Sequence, residues 1–308
     1  MATRGFVTIA TGSEKYYKLA AQLLKSYKKR SVQDTPFAII CDRENEYTQG
    51  FDQVICMEEP NKSYMDKLLL YRYSPYEETI FIDADSLILA DPAGLWDDYA
   101  DADDVSCCGA IYPLDSDRGW FTYEGSGKYK EQLKYVIDLH GGIYYFRRTE
   151  RCRAIFEKAI ELAGEYSLYA FKNFSKPADE PVMALAMAIF DCQPCTKPAR
   201  ILFVPSYRGK LRVNIRGELL VSGKKSGVEI LHFATPNTEL FLYQYLSRCL
   251  EQTEVPPLGH IGGYFVVALR TFPKECKIAI RHAGGWVLRK FLPAEVVQRL
   301  KERNKLRG

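Results

Sequence analysis

Short runs of β-branched and aliphatic residues alternate, through the first third of the chain, with longer segments whose apolar positions recur every three or four residues. "GFVTIAT" is the first run, and "GSEKYYKLAAQLLKSYKKR" follows it with Leu19, Leu23, Leu24 and Tyr27 at helical spacing. "PFAIICD" and the shorter "QVICM" predict two more buried strands. "YMDKLLLYRYSPY" has helical spacing that stops before Pro75, and "ETIFIDADSLILAD" predicts the next strand. Strands alternating with helices predict an α/β domain on a Rossmann-like, mostly parallel central sheet with helices on both faces.

Further along, "DLHGGIYYFRRTE" reads as loop then strand, and "RCRAIFEKAIELAGEY" as an amphipathic helix. "SKPADEPVMALAMAIF" reads as a loop feeding a helix with Pro181 in its first turn. "ARILFVPSYR", "ELLVSG" and "VEILHFATP" read as strands. The Gly-rich, aromatic and polar segment from Gly109 to Lys134 predicts a long loop of the kind that shapes a site. "TEVPPLGHIGG" reads as a linker, so residues 1–255 form one expected domain and 256–308 a basic helical extension.

Charge sharpens that division. The chain of 308 residues carries a net +3, yet residues 256–308 hold eleven Lys or Arg against three acids, which leaves −5 on the rest. Such a tail suits an anionic membrane surface or an acidic polymer, and equally a solvated helix; "KFLPAEVVQRLKERNKLRG" puts Val296, Val297 and Leu300 near one helical face among its basic residues, a face that suits anionic lipid and equally the body of the protein. No window approaches the roughly 18–20 apolar residues a membrane span needs, since Arg270 cuts short "HIGGYFVVALRTF". "MATRGFVTIATG" is too short and too threaded with Thr for a signal peptide, so the nine cysteines are expected as reduced thiols in the cytoplasm. "CQPC" lacks a second metal-spaced pair and reads as packing beside a Pro-containing turn rather than as zinc ligands.

The run "TIFIDADSLILAD" places two acids, Asp83 and Asp85, at the end of an otherwise apolar strand. Residues at i and i+2 face the same side of an ideal strand, so the two carboxylates repel unless a cation or donors intervene. A hard divalent ion, Mn²⁺ or Mg²⁺, suits their oxygens and bridges to phosphate. A bland reading also stands: Asp83 caps the next turn and Asp85 pairs with a Lys or Arg. In open α/β sheets ligands gather beyond the carboxyl ends of the strands, where "ATGS", "CDRE" and "DADS" all fall. Neither GxGxxG nor GxxxxGK[ST] is present, so a bound nucleotide would need a metal for much of its charge neutralisation.

In their order along the chain, "FVTIATGSEKYYKLAAQLLKSYKK", "MDKLLLYRYSPYEETIFIDADSLILAD", "HGGIYYF", "ADEPVMALAM" and "ILHF" resemble the motifs of GT-A fold nucleotide-sugar glycosyltransferases, and most of all glycosyltransferase family 8, which includes glycogenin. The resemblance runs from about Gly5 to Asn237. It implies a hexosyltransferase that moves glucose or galactose from a UDP-sugar to a glycan or glycolipid hydroxyl with retention, and no nucleic-acid partner. Asp83, Asp85 and His232 would hold the Mn²⁺ or Mg²⁺. Thr8, Ala10, Thr11 and Tyr17, or Tyr16 in place of Tyr17, would line the nucleoside pocket. Ala84, His140, Gly141 and Gly142 would complete the nucleotide-sugar site, and Asp179, Lys67 and Glu180 are the candidate catalytic residues. Trp120, Phe121 and Tyr123 would offer an acceptor platform. This chain differs from the family in having Glu180 for Gln, His140 for Asn, and no Lys after His232 in "HFATPNTELF", where Lys210, Lys224 or Lys225 could substitute. Taken singly, His232 could be a core histidine, Asp179 a helix cap and Lys67 a surface residue. The rival readings are a degenerate transferase fold that binds a glycan or membrane surface, and, with less support, a nucleotidyltransferase.

Overall fold

The computed structural model describes residues 3–171, 177–195, 200–207, 209–251 and 261–276. In chain order its first seven strands are β1 (Arg4–Ala10), β2 (Phe37–Cys41), β3 (Gln53–Cys56), β4 (Glu78–Ile82), β5 (Ser86–Ile88), β6 (Val105–Tyr112) and β7 (Val136–Arg147). Six of them form one sheet in the order β3-β2-β1-β4-β7-β6. The first four in that order run parallel, while β7 is antiparallel to both β4 and β6. β2 is buried along its whole length and β1 at every residue but Arg4, as strands of a parallel sheet covered on both faces must be.

The covering helices follow from local chemistry. α1 (Glu14–Arg30) starts where the Ser13 side chain accepts from Lys15 N, and buries Leu19, Leu23, Leu24 and Tyr27. Its last turn carries Lys28, Lys29 and Arg30, the favourable sign for a helix C-terminus. α2 (Leu70–Tyr73) is one turn that continues a tighter 3-10 segment, Tyr64–Leu69, and α3 (Gly94–Asp98) is similarly brief. α4 (Glu150–Gly164) is capped by Thr149. α5 (Asp179–Ile189) buries its residues from Pro181 to Ala188.

The remaining strands are β8 (Ile201–Phe203), β9 (Leu211–Val213), β10 (Leu219–Val221), β11 (Lys224–Lys225) and β12 (Ile230–His232). β12 lies between β5, to which it is antiparallel, and β8, to which it is parallel. The chain divides into two compact units, Met1–Arg208 with Ser226–Ala234, and Gly209–Lys225 with Thr235–Gly308. The first contains the six-stranded sheet and the β5-β12-β8 sheet. The second contains the antiparallel β9-β10-β11 meander, α6 (Phe241–Glu251) and a helix over residues 261–276. Most of the expected basic extension, with residues 253–260 of the linker "TEVPPLGHIGG", lies outside the described residues, and residues 261–263 of that linker are helix instead.

Three stretches differ from the sequence expectation. The single strand expected over "ETIFIDADSLILAD" is two: β4 stops at Ile82, Ser86 N donates to Asp83 O at 3.0 Å to close a turn, and β5 joins a different sheet. "DLHGG" is strand rather than loop. The β6–β7 register jumps from Cys107↔Tyr144 to Cys108↔His140, so the Gly141–Ile143 stretch bulges from β6 while still pairing with β4 through Ile143↔Ile82. The expected long loop begins inside β6, which runs to Tyr112, and includes a 3-10 segment, Glu124–Gln132. Phe121 within it is fully buried and so cannot stack on an acceptor, and Trp120 Nε1 donates to Leu139 O at 2.7 Å.

Candidate functional site

The turn after β4 turns its acids toward β12. Register places His232 opposite Ser86 on β5, and Phe233 N donates to Asp85 O at 3.1 Å, so the imidazole arrives beside the acids through strand pairing. His232 Nε2 lies 2.9 Å from Asp85 Oδ1 and 3.6 Å from Asp83 Oδ2. Burial alone disfavours a charged His232 ring, but the bond and charge of Asp85 and the charge of Asp83 outweigh it and raise the pKa. Burial raises that of Asp83, opposed by Lys67 and reinforced by Asp85.

Lys67 binds the other side of Asp83. Its Nζ lies 2.8 Å from Asp83 Oδ2, 3.6 Å from Asp179 Oδ2 and 3.2 Å from the Gly141 carbonyl to which it donates. Burial works against this ammonium, yet Asp179 and Asp83 prevail and hold it charged. Lys67 is therefore a buried ion-pair centre rather than a surface residue. Asp179 opens α5 without acting as its cap, since the cap position is Ala178; its Oδ2 accepts from Tyr144 OH at 2.9 Å. Glu180 Oε1 accepts from Gly141 N at 2.8 Å, and burial, with the charge of Asp179, pushes its carboxyl up to about 7.

The two glycines are required by this packing. A Cβ on Gly141 would lie 2.6 Å from Glu180 Cγ, and one on Gly142 only 2.4 Å from His232 Nδ1. The Gly142 carbonyl accepts from Asp83 N at 2.9 Å, which ties the bulge to the acid-bearing turn. His140, just before the glycines, places Nε2 at 2.8 Å from His232 Nδ1, and its ring also packs 4.7 Å from that of Phe203. Burial, then the charges of His232 and Lys67, drive the His140 pKa down to about 3.

At the carboxyl end of β1 the expected nucleoside residues divide. Thr8 and Ala10 are buried within the strand, and Thr8 Oγ1 has no hydrogen-bond partner among the described residues. Thr11 Oγ1 donates to Asp66 Oδ2 at 2.6 Å. Tyr17 is fully buried, and its hydroxyl bonds Asp42, whose Oδ1 also accepts from Gly12 N at 3.0 Å. Tyr16 stays partly exposed. Sequence reasoning missed several members of this region. Buried Asp66 ties Thr11 to the loop before the 3-10 segment by accepting from Asn61 N at 2.6 Å and Ser63 N at 3.3 Å. Its signal was legible, since Ser63-x-x-Asp66 is a capping box. Tyr144 carried no signal beyond strand alternation. Tyr64, half exposed, lies within electrostatic range of Tyr16, Lys67, Asp83 and Asp85. Lys210 and Lys224 are exposed residues of the second unit.

Asp83, Asp85 and His232 each offer one ligand atom, and those atoms all lie within 4.8 Å of one another. Two carboxylate oxygens and an imidazole nitrogen at that spacing could coordinate a divalent metal, and three protein ligands leave positions open for other oxygens. "CQPC" belongs to no such group among the described residues; Cys192 Sγ instead donates to Val105 O at 2.7 Å.

No protein-family model and no curated protein sequence matches the chain. Solved structures do. The galactosyltransferase LgtC, in complex with donor and acceptor sugar analogs, superposes with a TM-score of 0.53 at 13% identity, over 82% of this chain and 97% of that one. An active-site Gln-to-Glu variant of LgtC gives 0.53 at 14% over the same shares. The bifunctional glycosyltransferase WbbM gives 0.49 at 11%, over 88% of this chain and 52% of its own. At the identities of LgtC the likeness speaks for the fold alone: this chain has a GT-A-like glycosyltransferase fold, with the Asp83, Asp85 and His232 cluster at the carboxyl edge of its mixed, mostly parallel sheet.

Proposed function

We propose that the chain is a metal-dependent, retaining glycosyltransferase that moves a hexose, glucose or galactose, from a UDP-sugar to a hydroxyl of a glycan or glycolipid. The observation that carries this reading is the convergence of His232, from a distant strand, on the paired acids after β4. When bound there, Mn²⁺ or Mg²⁺ supplies Lewis-acid neutralisation of the diphosphate charge that grows as the anomeric C–O bond breaks. Lys67 fixes the Asp83 carboxylate and shares Asp179, so the carboxylate nearest the sugar is held by Tyr144 and Lys67 together. Asp179 then orients the sugar hydroxyls near the reacting carbon, with Glu180 bonded to Gly141 at the border of the same pocket. Tyr16, partly exposed where Tyr17 is enclosed, is the aromatic that suits the base.

A screen of UDP release from several UDP-sugars, with and without Mn²⁺, tests the reading. Metal-dependent release from a UDP-hexose, abolished in Asp85→Ala, is expected; full activity in that variant would remove the metal assignment. One observation favours a second reading, a fold that binds a glycan or nucleotide without turnover: no basic residue follows His232 until Arg248. Metal-dependent UDP affinity by calorimetry without any UDP-sugar cleavage would select it.

A further inference from the structure

β3 is the edge strand at one end of the six-stranded sheet, short and only partly covered. It pairs in parallel with β2, whose residues are all buried. The last rung of that pairing sets Cys56 beside Cys41. One thiol is therefore exposed at the rim of the sheet, and the other is enclosed behind it.

Register brings the two sulfurs together. Neighbouring strands run about 4.7–4.9 Å apart, inside the roughly 4.4–6.8 Å between Cα atoms that a disulfide spans. Side chains paired in register leave the same face of the sheet, and Cys41 Sγ lies 4.0 Å from Cys56 Sγ. Closing that gap to the roughly 2.0 Å of an S–S bond is within reach of rotation about the two Cα–Cβ bonds. The backbone beside the pair is already tied, since Met57 N donates to Cys41 O at 2.8 Å.

Other cysteines are engaged differently. Cys192 Sγ donates to Val105 O at 2.7 Å and Cys195 Sγ to Asp98 O at 3.5 Å, while Cys108 Sγ meets the Tyr99 hydroxyl at 3.6 Å. Cys41 and Cys56 face each other instead. Their chemistry is unequal. Burial, and then the neighbouring Cys56 sulfur, push the Cys41 thiol up to about 12. A buried, protonated thiol is inert to solutes, whereas an exposed one is open to them. Cys56 therefore reacts first and Cys41 second.

We propose that Cys41 and Cys56 form a reversible dithiol–disulfide pair at the edge of the sheet, oxidised by low-molecular-weight disulfides. Cys56 Sγ attacks one sulfur of the small disulfide RSSR, forming a Cys56–S–SR bond and releasing one RSH. Cys41 Sγ then attacks Cys56 Sγ. The bond to SR breaks, the Cys41 proton goes to the departing sulfur, and a second RSH leaves. Two electrons have passed from the protein thiols to RSSR, and two RSH reverse the sequence. The pair needs neither the metal cluster nor any sugar transfer, so its failure would leave the transferase reading standing, and the reverse holds as well.

The test equilibrates the full-length folded protein with glutathione disulfide, alkylates it with N-ethylmaleimide and digests it with trypsin. Residues 31–43 and 44–62 are separate tryptic peptides with one cysteine each. Mass spectrometry should find these two peptides joined, in protein that runs as a monomer on a non-reducing gel, and dithiothreitol should part them. Cys41→Ala should stop at the mixed disulfide of Cys56 with glutathione, at least about tenfold more of it than the wild type accumulates. Cys56→Ser, a change at an exposed position, should leave Cys41 without glutathione and closed to N-ethylmaleimide until the chain is unfolded. Near-ultraviolet circular dichroism verifies that both variants fold. The proposal is overturned if the folded wild type stops at the mixed disulfide, or if the linkage appears only in urea. It is equally overturned if Cys56 pairs chiefly with another cysteine or with a second copy of the chain.

Discussion

His140 Nε2 lies 2.8 Å from His232 Nδ1, and the two rings meet edge to face at 4.7 Å. The His232 nitrogen facing the acids is Nε2, so a metal there requires Nε2 to be free of its proton and Nδ1 to carry it. His140, held neutral by burial, can accept that proton's hydrogen bond and thereby fix both tautomer and ring direction. His140→Ala should therefore weaken Mn²⁺ binding by about ten- to a hundredfold, measured by calorimetry. His140→Gln, which retains an acceptor, should recover part of the loss.

Metal binding itself should be visible as stability. A ligand that binds only the folded state at a hundred times its Kd adds about 2.7 kcal/mol. Mn²⁺ should thus raise the unfolding temperature of the wild type, and chelation with EDTA should reverse the rise. Asp85→Ala should unfold at the same temperature with and without Mn²⁺.

Gly142→Ala forces a methyl to within 2.4 Å of His232 Nδ1, with the rigid β7 bulge behind it. Overpacking of this kind costs roughly 1–3 kcal/mol. Because the ring must move, loss of Mn²⁺ binding should exceed what the lower stability explains. Gly142→Ala with unaltered metal affinity would show that the imidazole has slack.

Lys67 is the shared counter-charge of Asp83 and Asp179. Lys67→Met leaves both carboxylates buried with their cation removed, and loss of one partner of a buried pair costs roughly 3–5 kcal/mol. Urea denaturation should register this, and Lys67→Arg should not rescue it fully, because a planar guanidinium cannot take the place of a compact ammonium between the Gly141 carbonyl and two acids.

Glu180 has its carboxyl raised from 4.5 to about 7, chiefly by burial. Between those values the unfolded chain has lost this proton and the folded chain keeps it, so this group's contribution is full below pH 4.5 and declines as pH rises to about 7. Glu180→Gln removes the ionisation, and its stability relative to wild type should improve by roughly 1–3 kcal/mol between pH 4.5 and pH 8. Parallel stability curves for the two proteins would contradict the assignment.

Much of this was legible in the residues alone. The apolar runs of β1, β2 and β4 and the spacing of α1 name themselves, because burial on both faces of a sheet, or on one stripe of a helix, demands those patterns whatever surrounds them. The acids at the end of β4 were legible for the same reason: charge in an apolar strand needs a partner. What sequence could not decide was which partner. His232 is brought to Asp85 by the β5–β12 register, Lys67 to Asp83 by the 3-10 segment Tyr64–Leu69, and His140 to His232 by a bulge that local propensity assigned to a loop. Tyr17 was separated from Tyr16 by the same kind of fact, since both are aromatic at the start of one helix and only packing says which is enclosed. Periodicity is a property of one segment and its solvent, so a sequence fixes it locally; a site is a set of distances between segments far apart in the chain, and those exist only once strands have chosen their registers.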